Sequence, residues 1–76
     1  MHIGDRIKSV FESLPRQYTI AWFAAQIHCD RRNVYYIFER PTIDTGLLLK
    51  ISEVLNHNFF RDLAEDFDKT KQDDNA

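Results

Sequence analysis

From Ile3 the apolar positions fall at Ile3, Ile7, Val10, Phe11 and Leu14, spacings of four, three, one and three that trace a single helical stripe and match no strand. A first helix over about 3–13 follows, ended by Pro15, which disfavours helical geometry at Leu14 and has no N–H to donate. Thr19 stands as an N-cap ahead of "IAWFAAQI", whose alanines and spacing predict a short buried second helix over 20–27. Asp30 is the next cap, because its carboxylate can accept a backbone N–H and sits favourably at the positive end of a helix dipole. It predicts a third helix over 31–38. There Val34 and Ile37 point one way, while Arg31, Arg32, Tyr35 and Tyr36 occupy the remaining arc. With about three residues between them, the second and third helices must cross sharply, which is the spacing of a helix-turn-helix.

Pro41 ends the third helix, and Asp44 caps a fourth through "TGLLLKISEVL", with Leu47, Leu48, Ile51, Val54 and Leu55 on its apolar face. After the turn signal "NHN" at 56–58, Phe59, Phe60, Leu63, Ala64 and Phe67 predict a closing fifth helix. Phe59 and Phe60 are adjacent and cannot both face one core. With Phe67, they are the candidates for contact with a second copy in a homodimer. Past Asp68 the apolar residues run out, so residues 1–67 read as one domain and 68–76 as an acidic, disordered tail. The expected fold is all-α, a compact bundle of five short helices.

Length and composition agree with that outline. A chain of 76 residues holds one core and hides only about 60% of its unfolded surface, and helices are the cheapest way to close it. At 43% apolar residues with ten aromatics it has enough to do so. One cysteine, Cys29, excludes an internal disulfide framework, and no basic leader precedes an apolar run, so a cytoplasmic chain is expected. The longest apolar runs, "GLLL" and "IAWFAA", fall far short of the roughly 18–20 residues of a membrane span. The net charge of −2 is uneven. Residues 65–76 carry five acids against two lysines, which leaves residues 1–64 near neutral at +1.

Candidate chemistry is sparse. His2, His28, His57 and Cys29 show no zinc-like spacing, and there is neither a nucleophile elbow nor a phosphate loop. The acids are scattered over helix caps and the tail. The reading is a non-enzyme with no metal and no cofactor.

The stretch "TIAWFAAQIHCDRRNVYYIFE" resembles the helix-turn-helix of the phage-repressor (Xre, lambda-repressor-like) family. Thr19 stands at that family's cap, Ala24 at its small contact residue, Ile27 at its buried residue before the turn, and Val34 and Ile37 at the anchors of its recognition helix. "DTGLLLKISEVLNHNF" is similar to its fourth helix and the turn that follows. The resemblance covers most of residues 3–64 and implies a sequence-specific transcriptional regulator that inserts its third helix in the major groove of double-stranded DNA. On that carry-over Arg31, Arg32 and Tyr36 contact bases, with Asn33 and Tyr35 beside them; arginine suits this because its fork pairs bidentately with guanine. Thr19, Gln26, Arg40, Arg16 and Tyr18 contact the DNA backbone. Two positions depart from the pattern. Ile20 stands where many members have glutamine, and His28 stands in the turn where they have glycine, so His28 is expected at positive φ. The rival reading is a protein-interaction module, or the antitoxin of a toxin–antitoxin pair, that uses Trp22, Tyr35, Phe38 and Phe60 as an aromatic contact surface. The near-neutral body favours that rival, since strong nonspecific DNA affinity draws on many cations.

Overall fold

A computed structural model describes the backbone of residues 1–75 and the side chains of residues 1–70. Among the described residues five helices follow in order: α1 (Ile3–Glu12), α2 (Ile20–Gln26), α3 (Arg31–Glu39), α4 (Thr45–Leu55) and α5 (Phe59–Asn75). Among the described residues there is no strand. The predicted caps form as the local chemistry requires. Thr19 Oγ1 accepts from the Trp22 N–H at 3.1 Å, Asp30 Oδ1 from Asn33 at 3.1 Å and Asp44 Oδ1 from Leu47 at 2.8 Å.

Three phenylalanines from three helices meet at the centre. Phe11 of α1 stacks on Phe23 of α2 with centroids 5.4 Å apart, and Phe38 of α3 tilts against both at 6.1 and 6.3 Å. Ile3, Ile7, Val10, Ala24, Val34 and Ile37 surround them, and Leu48, Ile51, Leu55 and Phe59 close the core from α4 and α5. Phe38 therefore lies inside, contrary to its expected place on an aromatic contact surface. Phe59 is 0% exposed and drops out as a candidate for contact with a second copy. Adjacent Phe60 takes the half-buried position instead.

The tail also departs from expectation. α5 does not stop near Phe67 but runs to Asn75, through most of the segment read as disordered; Ala76 lies outside the described residues. Residues 59–76 contain neither glycine nor proline. Once the first turns are fixed by Phe59, further turns need only propagation and no new nucleus. Arg61 and Glu65, at 3.5 Å, add an i,i+4 pair.

Among the described residues two that are not glycine have positive φ, and both close a helix in the same way. His28 (φ 57°) ends α2, with the Cys29 N–H donating to the Ala24 carbonyl at 3.0 Å. Asn56 (φ 52°) ends α4, with the His57 N–H donating to the Ser52 carbonyl at 3.0 Å. Histidine thus fills the glycine slot of the turn, as expected.

The start of α1 meets the end of α3 through backbone. The Gly4 N–H donates to the Arg40 carbonyl at 2.9 Å and the Ile3 N–H to the Pro41 carbonyl at 3.2 Å. His2 Nδ1 accepts from the Asp5 N–H at 3.0 Å and so caps α1, which puts the ring hydrogen on Nε2, 3.1 Å from the Glu39 carbonyl that accepts it. A Cβ on Gly4 would stand no more than 2.7 Å from the carbonyl oxygens of Ile37, Phe38 and Arg40.

α5 is tied to the body by Asp62, whose side chain is 14% exposed. Its Oδ2 accepts from Arg6 Nε at 2.9 Å and from His57 Nε2 at 2.7 Å. Burial alone would push this carboxyl up, but the hydrogen bonds from His57 and Arg6, with their charges, outweigh it and hold Asp62 below its ordinary value of 3.8.

Three outcomes follow for stability. Gly4→Ala overlaps three backbone oxygens that cannot move independently, and urea denaturation should find it about 2–3 kcal/mol less stable; an unchanged midpoint would mean that α1 and α3 do not meet this closely. His28→Gly relieves the left-handed strain and should raise stability by about 0.5–1 kcal/mol, with His28→Val lowering it. Because the Asp62 value is depressed on folding, its contribution is present above the unfolded value and fades as pH falls through the folded one. Asp62→Asn should therefore be less stable than the parent by about 1–3 kcal/mol near pH 6. The gap should begin to narrow as pH falls below about 3.8 and close only below the lower folded value, and a gap independent of pH would show that Asp62 is not a charged partner.

Candidate nucleic-acid interface

α3 is fixed along its length. Its first turn is capped by Asp30, its inner face is held by Val34, Ile37 and Phe38, and its last carbonyls are taken by residues 2–4. Side chains on the other faces are therefore presented by a rigid rod. At about 100° per residue, Arg32, Tyr36 and Glu39 lie opposite the buried face. Asn33 and Arg40 flank them on one side, and Arg31 and Tyr35 on the other. All seven are exposed.

The five expected base-contact residues do not form one cluster. Asn33 and Tyr36 line a groove of about 230 Å³ with Arg40, Cys29 and Leu47, between α3 and the start of α4. Tyr35, 55% exposed, turns the other way. Its ring stands edge-on to Phe38 at 6.4 Å and walls a second groove, between α3 and α1. Adjacent helical residues point about 100° apart, so Tyr35 and Tyr36 serve different surfaces. Arg32, Asn33, Tyr36 and Arg40 remain as the coherent outward and α4-side set, with Arg31 on the flank that Tyr35 occupies.

The expected backbone-contact residues Arg16, Tyr18, Thr19 and Gln26 are also exposed, before and along α2. Tyr18 packs edge-on against Trp22 at 4.8 Å, which stiffens the entry to α2. The Thr19 oxygen is occupied by the Trp22 N–H, but its hydroxyl hydrogen is left to donate outward.

The arginines divide by location. Arg6 and Arg61 are paired with Asp62 and Glu65 on the α5 side. Among the described residues, Arg16, Arg31, Arg32 and Arg40 have no carboxylate within 4.0 Å. One residue works against a purely basic face. Glu39, seven positions after Arg32, shares the outward face; that spacing of two turns was the available sequence signal.

Burial raises the Cys29 thiol, with the Asp30 charge adding to the effect, and both disfavour the thiolate. Among the described residues no three of His, Cys, Asp and Glu gather as metal ligands would, and no helix is long and apolar enough to cross a membrane. Phe67 is 64% exposed, and with Phe60 and Leu63 it forms a stripe along α5, so these two of the three expected dimer candidates keep an accessible surface. Neither a protein-family model, nor a curated protein, nor a solved structure matches this chain.

Proposed function

We propose that this chain is a sequence-specific double-stranded-DNA-binding regulator of transcription that reads the major groove with α3. One observation carries the reading: a rigidly held helix presents Arg32, Asn33, Tyr36 and Arg40 outward with Arg31 exposed at its first turn, and its arginines have no carboxylate partner among the described residues. Arg32 and Tyr36, at the centre of the outward face, read bases. Arg31 and Asn33 lie at the rim of that contact, while Arg40, Arg16 and the Thr19 hydroxyl hold phosphates. One helix of nine residues reads only a few base pairs. A second copy, joined through the α5 stripe of Phe60, Leu63 and Phe67, supplies the other half-site about one DNA turn, ~34 Å, away.

The rival reading, a protein-interaction or antitoxin module of the same fold, is favoured by the exposed Phe67 and by Glu39 among the arginines.

Selection from a random duplex library at low and at moderate salt distinguishes the two. Enrichment of a two-fold motif is expected. Arg32→Ala should weaken binding to it by about 10–100-fold and relax one position. Arg40→Ala should weaken all sequences alike and lower the salt slope by about one, and Tyr35→Ala should leave the motif unchanged. No enrichment by folded protein at either salt, or a motif retained by an Arg31→Ala/Arg32→Ala variant, would remove α3 as the reading element and favour the interaction module.

A further inference from the structure

The groove that Tyr35 walls, between α1 and α3, has a volume of about 550 Å³, within the range of sites that accept a ligand or an anchoring side chain. Its floor is apolar: the edges of Phe11 and Phe38, with Ile20 at one end. Its rim is acidic. Asp5 and Glu12 stand two turns apart on α1 and Glu39 faces them from α3, against Lys8, with the His2 ring also in the lining. On α3, Tyr35 and Glu39 are four residues apart and so lie one above the other. An exposed ring with a carboxylate one turn further on is matched by a guanidinium, which can stack on the first and pair with the second. The protein's own last segment does not suit this rim, because residues 65–76 carry −3. Nucleic acid does not suit it either, since phosphates would meet three carboxylates.

We propose that the α1–α3 groove is a docking site for a segment of a partner protein that presents an arginine beside a large apolar anchor. The anchor enters over Phe11, Phe38 and Ile20; the arginine lies on Tyr35 and pairs with Glu39, while Asp5 and Glu12 attract further basic residues. This site stands independently of DNA binding. Because Tyr35 and Glu39 border the outward face of α3, an occupant would sit at the edge of the proposed DNA contact, where it can promote or block it.

The test is selection of a displayed random dodecapeptide library on the folded protein, with counter-selection on a Glu12→Lys/Glu39→Lys variant. Enriched peptides are expected to place arginine within four residues of Leu, Phe or Trp. In fluorescence anisotropy, replacing that arginine by citrulline, which leaves the protein untouched, should weaken binding at least tenfold. Tyr35→Ser should do the same, with melting by circular dichroism confirming that the variant is folded. Enrichment of acidic or purely apolar peptides, equal binding by the arginine and citrulline forms, or no enrichment over the variant would each overturn the proposal. So would binding of free agmatine as tight as that of the peptide, which would make the groove a small-molecule site. None of these readouts involves DNA, so failure here leaves the operator selection to stand or fall alone.

Discussion

The backbone junction between the first residues of α1 and the last of α3 is the constraint around which the other contacts are arranged. Carbonyls at a helix C-terminus need donors, and here His2, Ile3 and Gly4 supply them directly to Glu39, Pro41 and Arg40. Two helix ends that meet through main chain have almost no freedom to slide. The lack of a side chain at Gly4 permits the approach, and Phe11 and Phe38 then come into register with Phe23. The faces of α3 are fixed as a consequence, because the rod cannot rotate without losing both its capping donors and its aromatic partners.

That fixed rotation gives α3 two surfaces of opposite character. One carries Arg32, Asn33, Tyr36 and Arg40 toward solvent and α4; the other carries Tyr35 toward the acids of α1, with Glu39 on the boundary between them. The charge of the chain as a whole, −2 with a body near neutral, hides this separation. What a polyanion would meet depends on the side of one nine-residue helix that it approaches.

Much of the fold was legible because its signals are local. Caps at Thr19, Asp30 and Asp44 satisfy donors three residues on, and the stripes of α1 and α4 follow from the helical period, so they could be read without tertiary knowledge. His28 at positive φ was legible for the same reason. What the sequence left open depends on another element. The choice between Phe59 and Phe60 rests on how α5 seats against α4, and the parting of Tyr35 from Tyr36 rests on a groove made by α1. Gly4 inside a helical pattern was a readable sign of close approach, but the partner it approaches lies 36 residues away, at Arg40. The continuation of α5 past Asp68 carries no apolar signal, and it is the absence of any glycine or proline that lets the helix run on.

The junction also orders assembly. The second and third helices are joined by four residues and share Phe23 and Phe38, so they can pair as soon as both exist. α1 precedes them in the chain, but its own cap His2 reaches the Glu39 carbonyl across 37 positions, and the loop between must close before either end benefits. The first of the five helices is thus secured only by a contact distant in sequence, and the far end of α3 is held only when residues 2–4 fold back to meet it.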